Sequence, residues 1–167
     1  MLSSLTITNS SPHLLSIDLG LRFGWSCFDQ EASLIAYGSH HCGQANKLGS
    51  IAYNAIKVLP SNSVLLVEGN SELYRHWQKS AQRFQILNMQ VYAEQWRHDC
   101  LSQKEQVDGK KAKVAAIRIA RTLIKSQSGQ GSYRLRHDAA EACLMGWWGL
   151  KQLQWISEAQ FKQGLKA

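Results

Sequence analysis

The sequence predicts a single α/β domain, and three features of it carry that prediction. Two short apolar runs each close on an acid followed at once, or one residue later, by glycine. They are Leu14-Leu15-Ser16-Ile17-Asp18-Leu19-Gly20 and Val64-Leu65-Leu66-Val67-Glu68-Gly69. A continuous apolar run of this length reads as a strand covered on both faces. Between the two runs lie segments with strand character, separated by breaks of a few residues. After them, apolar residues recur at three- and four-residue spacing, the period of amphipathic helices. A chain of 167 residues with 44% hydrophobic content suffices for one domain with a real core.

Taken in order, 1–13 reads as a tail, because Met1 to Pro12 is rich in Ser and Thr and has no apolar signal-peptide core. The domain is expected over 14–155. Its first strand ends at Asp18. Phe23 to Asp29 and Leu34 to Gly38 read as the second and third strands. Short polar breaks join all three into an antiparallel meander. Leu48, Ile51, Ala52, Ala55, Ile56 and Leu59 mark a helix that Pro60-Ser61-Asn62 stops. The second apolar run follows. Ser71 to Leu87 reads as a helix with Leu73, Trp77, Ala81 and Phe84 inward and Arg75, Lys79 and Arg83 outward. Gln90 to Ala93 reads as a fifth strand, and Trp96-Arg97 opens a polar connector to about Gly109. A long helix is expected from Lys110 to Ser126, with Ala112, Ala115, Ala116, Ile119, Ala120, Leu123 and Ile124 buried. At about 100° per residue, Lys110, Lys111, Arg118, Arg121 and Lys125 project from its other side. Ser126 to Ser132 reads as a loop. A last helix runs from Arg136 to about Trp155, and 156–167 reads as a frayed tail.

Charge narrows the class of partner. There are 19 Lys and Arg against 12 Asp and Glu, a net charge of +7, which favours a polyanion such as nucleic acid. Cys27, Cys42, Cys100 and Cys143 are scattered, so free thiols in a reducing compartment are expected, cytoplasmic and nucleoid-associated or organellar. His40-His41-Cys42 has no second ligand pair near it and does not make a zinc motif. No apolar run approaches the roughly 18 residues of a membrane span, so no membrane partner is expected.

Candidate chemistry lies in the acids. Ionised carboxylates at the ends of buried strands are costly unless something compensates them. In Arg136-His137-Asp138-Ala139-Ala140-Glu141-Ala142 the two acids are three residues apart and share one helix face. The alanines around them let that helix press close to a sheet. The pair also suits a helix N-terminus, where acids complement the macrodipole. With Asp18 and Glu68 it makes four oxygen-donor groups from two strand ends and one helix, as a hard divalent cation requires.

Order and motif together resemble the ribonuclease-H-like nucleases, and within them the RuvC-type Holliday junction resolvases. "SIDLGLRFGWSCFD" resembles their opening strand, turn and second strand, "LLVEG" their second acidic strand, and "HDAAEACLMGWWG" their closing helix. "AEQWRHDCL" followed by "GKKAKVAAIRIA" is similar to the phage and chloroplast branch, where a Trp-Arg or Trp-Lys pair precedes a Gly-Lys-led helix. The likeness covers about Leu14 to Lys151. It implies a five-stranded mixed sheet, three antiparallel strands then two parallel, flanked by helices. It implies a metal-dependent endonuclease that cuts four-way DNA junctions by two-metal hydrolysis, with Mg2+ or Mn2+ held by Asp18, Glu68, Asp138 and Glu141. His137 is a further candidate ligand, because some relatives use His in the last-helix site. Lys110 would steady the scissile phosphate, and Arg75, Lys79, Arg83, Lys111, Arg118, Arg121 and Lys125 would hold backbone phosphates. A homodimer is implied, with Trp147, Trp148 and Trp155 serving either a dimer contact or the core. Leu19 stands where the family often has Pro, and Glu141 where many relatives have Asp. Alternatives are a ribonuclease-H-like nuclease acting on RNA or other branched DNA, and a non-catalytic nucleic-acid-binding module.

Overall fold

The computed structural model describes residues 7, 10–69, 72–128 and 134–166. Most of the expected N-terminal tail, and residues 129–132 of the loop expected over 126–132, lie outside the described residues; residues 126–128 are helical, not loop, because the preceding helix runs on to Ser128. Five strands, β1 (His13–Asp18), β2 (Arg22–Asp29), β3 (Leu34–His41), β4 (Val64–Glu68) and β5 (Leu87–Val91), form one sheet of order β3-β2-β1-β4-β5. β1 pairs antiparallel with β2 and parallel with β4; β2 with β3 is antiparallel and β4 with β5 parallel. This is the five-stranded mixed sheet that the ribonuclease-H-like expectation requires. Among the described residues six α-helices flank it: α1 (Leu48–Ile56), α2 (Tyr74–Arg83), α3 (Ala93–Cys100), α4 (Gly109–Ser128), α5 (His137–Gln152) and α6 (Glu158–Lys166). None of the described helices is long and apolar enough to cross a membrane.

Strand alternation sends successive side chains to opposite faces, and here both faces are covered. Leu15, Ile17, Leu65 and Val67 pack in one core with residues of α1 and α2, Trp77 among them. Leu14, Phe28, Val64 and Leu66 pack in the other with α3, α4, α5 and α6. That double cover is why β1 and β4 are apolar throughout instead of alternating. α5 lies directly on β1 and β2, and its residues from Asp138 to Leu150 are all buried. It approaches so closely because glycines meet the sheet. A Cβ at Gly146 would stand 2.7 Å from the Phe28 ring, and one at Gly149 2.7 Å from Leu66. Ser16 and Ser26 fill the same contact, both donating to the Ala142 carbonyl, at 2.8 and 3.0 Å. Buried polar groups are thereby satisfied where strand and helix backbones nearly touch.

Boundaries differ from the sequence expectation in several places, β3 running on to His41 and α5 ending at Gln152 among them. The helix expected from Ser71 to Leu87 is the shorter α2, and β5 starts at Leu87 instead of Gln90. The connector expected from Trp96 to Gly109 holds α3 and a 3-10 turn at Gln103–Glu105; polar residues outnumber apolar ones there, so periodicity is faint, yet fully buried Trp96 anchors the helix. The frayed tail expected over 156–167 forms α6, because Phe161 enters the core and its carbonyl accepts the Trp147 indole N–H at 3.1 Å. Trp147 and Trp148 are buried in this core. Trp148 donates to Asp99 Oδ2, which also accepts from Lys151 Nζ; core packing, the second reading of these tryptophans, describes them. All four cysteines are buried and unpaired. If α6 is an integral part of the domain, Phe161→Ala should destabilise it by about 3 kcal/mol. Chemical unfolding checks this; a change under about 0.5 kcal/mol would return the segment to the status of a tail.

Candidate metal centre

The pairing of β1 with β4 places Asp18 opposite Glu68, last residue against last residue. Asp18 has the same strand parity as Leu14 and Ser16, and Glu68 that of Val64 and Leu66. Both carboxylates therefore stand on the α5 side, at the carboxyl end of the sheet, and both are partly exposed. On β2 the residue across from Asp18 is Gly24. The start of α5 presses there: a Cβ at Gly24 would lie 1.8 Å from the Asp138 carbonyl oxygen. Only glycine permits that approach, and it brings Asp138, 3% exposed, and Glu141, 4% exposed, alongside the strand ends.

Each acid has a different set of partners. Asp138 accepts from Ser39 Oγ of β3 at 2.7 Å and from the Ala139 backbone N–H at 2.9 Å, with Arg136 Nε at 3.6 Å. Glu141 receives a guanidinium N–H of Arg97 at 2.6 Å. Glu68 accepts the Trp96 indole N–H at 2.5 Å. Asp18 has no hydrogen-bond partner among the described residues. Its carboxyl is accordingly pushed up to about 8, first by burial, then by the negative charges of Glu68, Glu141 and Asp138; Arg97 pulls the other way. Burial also raises Glu68, against the Trp96 hydrogen bond and the Arg97 charge. Asp18 thus feels the charge of the other three acids, and Glu68 that of Glu141. Among the described residues, however, no three His, Cys, Asp or Glu side chains stand as a ready chelating group. The donor set, all carboxylate oxygen, suits a hard divalent cation.

The remaining candidates fall elsewhere. His137 opens α5, half-buried, and makes no ion pair with the four acids. Lys110 is exposed at the start of α4, in a cavity shared with Lys111, Val114 and Arg118; it too makes no ion pair with them. Two guanidinium groups reach the acids instead: Arg97 at Glu141 and Arg136 at Asp138. Sequence reasoning saw Trp96-Arg97 only as a motif at the head of a connector, and did not see Ser39 or Gly24 at all. The basic residues divide between the two faces of the sheet. Arg75, Lys79 and Arg83 are exposed on α2, on the side away from α5. Lys111, Arg118, Arg121 and Lys125 are exposed on α4, which packs with α5. Several are already engaged: Arg75 with Glu72, Arg118 with Glu105 at 2.6 Å, and Lys111 with Asp108 at 3.9 Å.

A raised carboxyl has a definite consequence for the metal-free protein. Between its ordinary value of 3.8 and about 8, Asp18 holds a proton in the folded protein that it has lost in the unfolded chain. Stability therefore falls as pH rises through that window. Asp18→Asn removes this contribution, so with chelator present it should melt a few degrees above wild type at pH 8, the gap narrowing towards pH 4. Thermal unfolding across pH checks it; a gap that does not vary with pH would show that Asp18 is not the group titrating.

No family model matches the chain, and no curated protein matches it.

Proposed function

We propose that this chain is a divalent-metal-dependent nuclease that cuts four-way DNA junctions and works as a homodimer. The observation that carries the metal-dependent part is the facing of Asp18 and Glu68 on adjacent parallel strands, with Asp138 and Glu141 brought over them by α5. Four carboxylates with two guanidinium groups beside them still leave an excess of negative charge, which a divalent cation would neutralise. The net charge of +7 supports a polyanionic substrate, and the four acids favour chemistry over binding alone, since pure phosphate binding has no use for four anions beside it. The order of the elements, together with the resemblance of the acidic motifs to RuvC-type resolvases, supports junction DNA and the dimer, whose two sites would cut two strands symmetrically.

Asp18, Glu68, Asp138 and Glu141 would hold Mg2+ or Mn2+. A cation bound there supplies Lewis acidity, which activates water and neutralises charge on a phosphodiester. The chain itself does the positioning. Ser39 and the Ala139 N–H orient Asp138, Arg97 orients Glu141, and Trp96 orients Glu68. Asp18, with no such partner, is the acid with the most to gain from a cation. α4 lies on the same side of the sheet as these acids, so its outer lysines are the nearer phosphate contacts, and such contacts give affinity without sequence information.

The decisive assay offers a synthetic four-way junction, duplex, single strand and structured RNA, each with and without Mg2+. Paired, symmetric nicks in the junction alone, only with metal, are expected. Asp18→Asn should slow cutting by about a hundredfold to a thousandfold while junction binding persists. Cutting by this variant at the wild-type rate would remove the metal-dependent reading. Cleavage of RNA or of another branched DNA in preference would keep the chemistry and replace the substrate.

Junction affinity should fall with salt, by about 0.9 in log K per log salt for each phosphate contact. Lys110→Ala with Lys111→Ala should flatten that slope by up to about two units, whereas Lys79→Ala with Arg83→Ala should leave it unchanged. Dissociation constants over a salt series decide between the faces; the reverse result would put the DNA on α2.

A further inference from the structure

Arg97 combines several features that a simple structural ion pair does not need. One end nitrogen lies 2.6 Å from Glu141 Oε1, and the guanidinium carbon is 5.2 Å from the centre of the Trp96 ring. Its Nε is buried with no hydrogen-bond partner among the described residues. The guanidinium is therefore tied to the acids through one end of its fork. Beside it opens a cavity of about 170 Å³, walled by Glu94, Gln106, Asp108, Gly109 and Ala112 as well as by Arg97 itself. Two of those walls, Glu94 and Asp108, are carboxylates. The side chain thus has one acidic partner at the strand ends and lines a cavity that holds two further carboxylates, one of which, Asp108, also accepts the Lys111 backbone N–H at 2.8 Å.

A cation and a guanidinium cannot share Glu141 without repulsion, which is strong at a few ångströms in a partly buried site. We propose that Arg97 is a resident counter-cation: it neutralises Glu141 while the cleft is free of metal, and turns towards Glu94 and Asp108 when a divalent cation binds. This rests on the metal-dependent reading above. It accounts for two observations at once. The acids lie close enough to influence Asp18 yet do not stand as a chelating group, because Arg97 and Trp96 hold two of them; and a cavity with acidic walls adjoins Arg97. Arg97 acts here as a positioning residue, through Glu141.

The test is Mn2+ binding to the intact protein, by calorimetry without DNA. Arg97→Gln should bind Mn2+ at least about tenfold more tightly than wild type, and with chelator present should melt at a lower temperature. Arg97→Lys, which keeps the charge, should bind close to the wild-type affinity. A merely structural arginine would predict weaker Mn2+ binding in Arg97→Gln together with the lower melting temperature. Should Arg97→Gln not fold, the wild-type Arg97 Nε–H resonance must shift on saturation with Mg2+. Equal or weaker Mn2+ binding by a folded Arg97→Gln, or an Nε–H that does not respond to Mg2+ at saturation, overturns the counter-cation role alone. A wild type that binds neither ion overturns it together with the metal-dependent reading.

Discussion

The backbone of α5 meets β2 at a distance that leaves no room for a methyl group at Gly24, where the Asp138 carbonyl would stand 1.8 Å from it. The geometry of the acids depends on that contact. It is sustained further along the helix by Gly146 and Gly149 against the sheet, and by Ser16 and Ser26, whose hydroxyls answer the Ala142 carbonyl. A helix kept at the usual separation by large side chains would carry Asp138 and Glu141 away from the strand ends. The small residues of α5 and the glycine of β2 thus do with packing what a longer side chain could not do without losing rigidity.

Close approach has an electrostatic consequence. Four carboxylates gathered in a partly dehydrated space repel one another, and desolvation adds to the penalty. The protein offsets this unevenly. Asp138 has a hydroxyl, a backbone N–H and the Arg136 guanidinium at 3.6 Å, Glu141 the Arg97 guanidinium, Glu68 an indole N–H, and Asp18 no hydrogen-bond partner among the described residues. The burden falls on Asp18, whose carboxyl is the one pushed up to about 8. Tension of this kind is common where a site is arranged for a ligand instead of for stability. It concentrates at β1, the central strand of the sheet.

What could be read from the sequence followed from locality. An apolar run ending in an acid is a local pattern, so Asp18 and Glu68 stood out, and their adjacency followed once the two runs were taken as buried strands. Asp138 and Glu141 share a helix face by spacing alone. Arg97 and Ser39 were opaque for the opposite reason. Ser39 lies 99 residues from Asp138 and Arg97 44 residues from Glu141, and no local pattern reports which acid a distant hydroxyl or guanidinium will meet. Gly24 looked like one more glycine in a strand; only the helix above it shows why it has no side chain. α3 and α6 escaped because each is a short helix with very few buried residues, Trp96 and Cys100 in one, Phe161 and Gly164 in the other, too few to write a period into the sequence.

The same distinction bears on the basic residues. Periodicity correctly turned the outer charges of α2 and α4 to solvent, but it could not show that the two helices lie on opposite faces of the sheet. The acids belong to the α4 and α5 face, so a phosphate chain lying near them meets α4 and not α2. Even there the charge is not idle: Glu105 holds Arg118 and Asp108 lies near Lys111. Phosphates would have to replace those carboxylates, and exposed pairs of this sort are worth little, about 0–1 kcal/mol each. The exchange is therefore nearly even in direct contact energy. What favours phosphate is the release of counterions from the polyanion, an entropic gain that an isolated carboxylate on the protein's own surface cannot match.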